Sequence, residues 1–140
     1  MTQNIHPSAY IAEQATVGKN VTIGPFAVIE NHVQIGDNCN IGAHVVIRPY
    51  TKIGMDNRIH SHVVLGDLPQ DTSFKEETVS WLDIGNNNTF REGFTAHRAA
   101  EKNAVTRIGS NCFFMNNSHV AHDCQIGNYT IFANNVAIGG

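Results

Sequence analysis

The segment NNSHVAHDCQIGN, residues 116–128, sets His119, His122 and Asp123 close together in one short stretch. An imidazole has an unperturbed pKa of about 6.5, so one held rigidly can take up and return a proton near working pH. An adjacent carboxylate can raise that pKa or fix the tautomer, but whether Asp123 reaches His122 is not legible from the residues. A histidine on a turn can also simply face water. Gly140 follows farther along the chain, and a glycine lets its backbone N–H approach a ligand closely. A base with an oxyanion donor beside it is the arrangement that acyl transfer to a hydroxyl requires.

That pairing depends on how the chain is coiled, and the coil is written in six-residue words. Every sixth residue from Ile5 is aliphatic: Ile11, Val17, Ile23, Ile29, Ile35, Ile41, Ile47, Ile53, Ile59 and Leu65. The fifth place of each word holds Ala9, Ala15, Val21, Ala27, Val33, Cys39, Val45, Thr51 or Val63, with Asn57 the polar exception. Two inward places flanking one outward place are the alternation of a short strand, and the remaining places make a corner. Three words then make one triangular coil, stacked on its neighbours at about 4.8 Å. The pattern predicts an all-β chain, a parallel β-helix with an aliphatic interior. Gly18, Gly24, Gly36, Gly42, Gly54 and Gly66 follow the aliphatic residue, where a strand bends into its corner. In this frame Val120 and Cys124 point inward, His122 and Asp123 share a corner, and His119 lies on the preceding outward face. Gly140 follows His122 by three whole words and so sits one coil above it.

The phase breaks twice. The step from Leu65 to Ile84 is one place longer than three words, so an inserted loop is expected near 67–83. The words at Ala96 and Lys102 then fail before Ile108, Phe114, Val120, Ile126, Phe132 and Ile138 resume, which predicts a second loop near 96–107. Loops that leave a repetitive scaffold commonly carry binding groups.

The chain is 140 residues, 41% hydrophobic, with a formal charge of −3. This describes one hexapeptide-repeat domain over 1–140, with no basic footprint for nucleic acid. No apolar run reaches membrane-spanning length and MTQNIHPSAY has no signal-peptide pattern, so no transmembrane segment and a cytoplasmic location are expected. Cys39, Cys112 and Cys124 all take the inward fifth place and read as small core residues. His6 and His60 point outward. His32, His44 and His62 fall on corners, and His44 and His62, one coil apart, should stack. The chain stops on the word IGG, so the last coil is expected to be covered by a further segment or another chain, with residues 1–140 a truncated form.

Taken together, the hexapeptide words, LGDLPQDTSF, FREGFTAHRA and SHVAHDCQIGNYTIFANNVAIGG resemble the UDP-N-acetylglucosamine acyltransferases of lipid A biosynthesis. The resemblance runs in order along essentially the whole chain, and its specific part is HVAHDC and REGFTAHR joined to PQD. It implies a left-handed parallel β-helix, against the usual hand of parallel crossovers, assembled as a homotrimer with active sites between subunits. It implies His122 as general base, Asp123 as its partner and the Gly140 N–H as oxyanion donor. The acyl donor would be acyl carrier protein and the acceptor the 3-hydroxyl of UDP-N-acetylglucosamine, with no cofactor and no metal. Asp71, His97 and His119 match positions that contact the sugar nucleotide, with Met115 nearby. Asn134 and Asn135 read as corner residues. Ser73 stands where the family often carries a lysine, and Lys75 lies in the same loop. The family's histidine after the oxyanion glycine, its later coils and its C-terminal helical domain are not within 1–140, so weak or absent activity is expected of this stretch alone. The rivals are a carbonic-anhydrase-like metal hydratase on the same fold, a binding scaffold without catalysis, and an enzyme acylating a 3-amino sugar. The hydratases place four positions between two ligand histidines, whereas only Val120 and Ala121 separate His119 from His122.

Overall fold

The computed structural model describes residues 3–140, and all regular secondary structure among them is β-strand. Twenty strands run from β1 (Asn4–Ile5) to β20 (Ala137–Ile138), most of them very short. Each pairs in parallel with the strand three places on, so the chain winds through three parallel sheets in turn. These begin at β1, β2 (Tyr10–Ile11) and β3 (Thr16–Val17) and hold seven, seven and six strands. Ile5 lies opposite Ile23 and Ile23 opposite Ile41, a register that matches the three-word coil.

The inward residues of all three sheets meet in one core, with Val21, Ile29, Val33, Val45, Ile47, Val63 and Leu65 fully buried. Each such side chain contributes about 1.5–3 kcal/mol of hydrophobic stabilisation. Cys39, Cys112 and Cys124 are buried there as free thiols. The interior is not aliphatic throughout. In the later coils Phe90, Phe94, Phe114 and Phe132 pack ring to ring, Phe90 stacked on Phe114 at 5.2 Å and Phe132 edge-on to Phe114 at 5.0 Å. The coil spacing brings successive inward rings to the separation that aromatic pairs prefer.

Asn57, the polar exception, turns out to be one of a column. Its Nδ2 donates to the Gly85 carbonyl at 2.9 Å and its Oδ1 accepts from Asn88 N–H at 2.9 Å. Asn88 repeats the pattern with Gly109 O and Cys112 N–H, and the Cys39 and Cys112 thiols donate to Gly54 O and Gly127 O. Cys39, Asn57, Asn88 and Cys112 thus each satisfy the carbonyl of a corner glycine in the next coil.

Of the glycines expected at the bends, Gly66 alone is itself left-handed (φ 83°), and the others serve a different purpose. The left-handed backbone falls two places later, on residues such as His32, Asn38, His44, Tyr50, Asp56, His62 and Asp123, with φ between 59° and 66°. Gly36 is required by proximity instead, since a Cβ there would lie 2.7 Å from the Gly54 backbone carbonyl. The corner residues stack between coils as anticipated, His44 on His62 at 5.1 Å and 4°, with Phe26 extending the column and His32 on Tyr50 forming another.

Both departures from the repeat occur between the second and third sheets. Lys52 pairs with Asp83, two words and one place beyond the coil repeat, and Asp83 pairs with Arg107, one word beyond it. The inserts occupy 68–80, between β11 (Val64–Asp67) and β12 (Trp81–Ile84), and 98–104, between β14 (Thr95–His97) and β15 (Val105–Ile108). Trp81 and Ala96 thus sit in strands, Ala96 fully buried in register with Leu65 and Val120. A phase of six records insert length only as its remainder. Two words and one place therefore appear as a slip of one, and a whole added word as no slip at all.

Candidate active site

The corner that carries both inserts also carries the histidine–aspartate pair. His122 and Asp123 link β17 (His119–Val120) to β18 (Gln125–Ile126), one coil beyond the second insert. Asp123 is left-handed (φ 66°), which directs its side chain back along the corner. The His122 Nδ1–H donates to Asp123 Oδ2 at 2.7 Å. An ionised carboxylate only accepts, so this bond fixes the tautomer and leaves Nε2 with a free lone pair. Asp123 is itself held: Oδ2 accepts from Ala100 N–H at 3.1 Å, and its own N–H donates to Thr106 Oγ1 at 2.8 Å. The second insert therefore braces the carboxylate from the coil below. His122 remains partly open, with a quarter of its side chain exposed.

Gly140 lies over this imidazole, because β20 pairs with β17 in register. A Cβ at 140 would come within 2.8 Å of His122 Nε2 and 2.7 Å of Cε1. Only glycine leaves the free nitrogen uncovered there.

His119 occupies the outward face of β17, hydrogen-bonded through Nδ1 to Thr95 Oγ1 at 2.7 Å. The His97 ring meets it edge-on at 4.6 Å. His97 is buried and its Nδ1 has no protein partner among the described residues. Burial, followed by the charges of His119 and His122, pushes its pKa down to about 4, against the pull of Asp67. Burial lowers His119 as well. Both rings are therefore neutral near pH 7, polar groups suited to hydrogen-bonding the uncharged hydroxyl or amide groups of a ligand.

Asp71 stands on the first insert. Ser73 donates to its Oδ1 through the hydroxyl at 2.7 Å and the backbone N–H at 2.9 Å. Those bonds, with a smaller contribution from the His122 charge, hold its carboxyl below the usual range. Ser73, where the resemblance led one to look for a lysine, thus fixes Asp71. Asp71, His97, His119, His122 and Asp123 lie on or beside one corner. Met115 does not join them within the chain: it follows β16 (Phe113–Phe114), on the preceding corner, beside Arg91, Glu92 and Asn134.

Sequence reasoning missed Thr95, Thr106 and Arg98. Thr95 pairs with His119 at one coil plus one word, a spacing visible only once the length of the second insert is known. Arg98 is buried, its guanidinium donating to the Glu76 and Thr78 carbonyls. Its adjacency to His97 was the one available signal. Among the described residues no three His, Cys, Asp or Glu side chains are grouped to hold a metal ion, and no helix is long and apolar enough to cross a membrane.

The chain is similar in sequence and fold to several known proteins. The acyl-(acyl-carrier-protein)–UDP-N-acetylglucosamine O-acyltransferase of Anaeromyxobacter sp. (strain Fw109-5) is 50% identical over 74 residues, 52% of this chain and 28% of that protein. The solved UDP-N-acetylglucosamine acyltransferase of Francisella novicida superposes with a TM-score of 0.94 at 38% identity, over 97% of this chain and 50% of its own. LpxA, a UDP-N-acetylglucosamine acyltransferase from Bacteroides fragilis 9343, gives 0.93 at 41% identity, over 96% and 52%. The chain thus spans about half the length of these solved relatives. The family model for the bacterial transferase hexapeptide (six repeats) matches residues 14–49, 32–67 and 106–140, more than half of the sequence. By its repeats, its coil register and that match, this chain belongs to the bacterial hexapeptide transferases.

Proposed function

We propose that this chain carries the catalytic corner of a UDP-N-acetylglucosamine O-acyltransferase, acting early in lipid A biosynthesis. The observation that carries the reading is the His122–Asp123 hydrogen bond at 2.7 Å beneath Gly140, with His122 Nε2 left free. In the proposed reaction Nε2 takes the proton of the sugar 3-hydroxyl as its oxygen attacks the thioester carbonyl of an acyl chain on acyl carrier protein. A C–O bond forms, and the carbonyl oxygen gathers charge toward the Gly140 N–H. The C–S bond then breaks, and the imidazolium returns its proton to the departing thiolate. No acyl-enzyme is required.

Asp71, His97 and His119 are proposed to hold the nucleotide sugar. The chain would form a left-handed β-helix within a homotrimer, and Met115 would reach the site from a neighbouring subunit. The carrier-protein donor implies a cytoplasmic setting. Relatives of 36–42% identity whose structures superpose along nearly the full chain support this reading.

The test is acyl transfer from acyl carrier protein to UDP-N-acetylglucosamine, measured for the chain 1–140 and for any longer product of the same gene. His122→Ala should lower the rate by about 10^2 to 10^4. An unchanged rate would remove His122 as the base, no transfer by any form would leave a scaffold, and stoichiometric zinc in the purified protein would favour the hydratase.

A further inference from the structure

The outer part of the first insert, residues 69–78, is tied to the second by one side chain, and it lies outside the chemistry just described. Among the described residues, 69–78 make no hydrogen bond or ion pair to the coils except through Arg98. Their other bonds are internal: Ser73 to Asp71, Phe74 N–H to Asp71 O and Thr78 N–H to Lys75 O. Arg98, on the second insert, donates from one terminal nitrogen to Thr78 O at 3.0 Å and Glu76 O at 3.3 Å. Its guanidinium carbon is 5.4 Å from the Tyr50 ring centroid and 5.5 Å from that of Phe74. Tyr50 belongs to the coil below and Phe74 to the first insert, so the planar cation bridges scaffold and loop.

We propose that Arg98 is a positioning residue, a clamp that holds the 68–80 insert over the catalytic corner so that Asp71 faces His122. The geometry calls for arginine. A flat guanidinium can contact two rings while its N–H groups reach two carbonyls, whereas an ammonium has neither the plane nor the span. The second insert, fixed at its base by Trp81 N–H to Ala104 O and Asn103 N–H to Val79 O, is a firm anchor. That same insert braces Asp123 through Ala100. One short segment thus sets both the carboxylate that orients the base and the loop carrying the second carboxylate. The consequence for the sugar nucleotide rests on the function proposed above; the clamp itself does not.

Lys75, the one lysine of the first insert, makes the clamp measurable. Cleavage after Lys75 by a lysine-specific endoproteinase reports loop release, and thermal unfolding reports the coils. Arg98→Met and Arg98→Lys should both speed that cleavage by about tenfold or more, because the loop then opens without global unfolding. Phe74→Ala alters only the insert and should speed it too, whatever happens to the folding of the Arg98 variants. In active enzyme, Arg98→Lys should raise KM for UDP-N-acetylglucosamine about tenfold with kcat nearly kept. Wild-type protection in Arg98→Lys would overturn the proposal, as would equal cleavage rates throughout. Faster cleavage with an unchanged KM would also overturn the positioning role. If the wild type neither binds nor acylates the sugar nucleotide, the functional reading fails and the cleavage rates alone decide the clamp.

Discussion

At the scale of single residues, what matters is which proton sits on which nitrogen. Asp123 accepts from His122 Nδ1 and from Ala100 N–H with the same oxygen, so Asp123→Asn is a sharp probe. The amide oxygen can take the place of Oδ2 and accept both bonds, so the Nδ1–H tautomer is kept and what disappears is the negative charge that stabilises the imidazolium. The base keeps its free Nε2 but its protonated form loses the carboxylate's charge, so kcat should fall by about 10- to 100-fold while thermal stability hardly moves. A variant as active as the wild type would remove Asp123 from the mechanism. His97 gives a second measurement. Its pKa near 4 lies below the unfolded value of about 6.5, so the unfolded chain binds that proton first as pH falls. Stability from this residue is full above about pH 6.5 and drains away toward pH 4, a loss of about 3 kcal/mol. The facing groups are His119 and His122, which disfavour the charge, and Asp67, which favours it. Urea unfolding of His97→Gln should therefore show a smaller fall between pH 7 and pH 4 than the wild type by roughly that amount. Parallel curves would mean that folding leaves the pKa of His97 unchanged.

At the scale of elements, the strands are so short that the corners hold the structure as much as the ladders do. The Asn57–Asn88 column ties successive coils through buried amides, each both donating and accepting. Asn57→Ala strands the Gly85 carbonyl and the Asn88 N–H in the core and should cost about 3 kcal/mol in urea unfolding. Asn57→Cys, which copies Cys39 by restoring a donor to the carbonyl, should cost about half of that. A cost below about 1 kcal/mol for the alanine would show that water or a shifted backbone satisfies both groups. This column also marks the limit of the sequence. The repeat made the coils, the inward cysteines, the stacked corner histidines and the alignment of Gly140 with His122 legible, since each depends only on counting words and coils. The asparagine column was not legible, because Asn88 lies past the first insert. Thr95 beneath His119 was hidden in the same way by the second. Long-range side-chain bonds such as Arg98 to Glu76 and Thr78 leave no period at all.

At the scale of the whole molecule, the candidate site lies open on its outer side. His122 and Asp123 stand on an outward corner, with about a quarter and two-fifths of their side chains exposed. Water reaching a developing oxyanion weakens every dipole aimed at it, so acyl transfer in an excluded site needs a second wall. Within the chain the neighbouring coils offer Asp71 and His97, but Met115 is on the preceding corner and cannot close over its own His122. A cyclic assembly brings unlike corners together, so the proposed trimer would set one chain's His122 against another chain's Met115. Hybrid assemblies test this without a structure of the trimer. His122→Ala and Met115→Arg should each abolish activity alone. When the two proteins are mixed and allowed to exchange subunits, a site is whole only where a Met115→Arg chain supplies His122 and its neighbour is a His122→Ala chain. Random assembly of equal amounts makes that about one site in four, so about a quarter of wild-type activity should return. An active Met115→Arg protein would take Met115 out of the site. Two inactive variants that stay inactive on mixing, despite demonstrated exchange, would confine the site to a single chain.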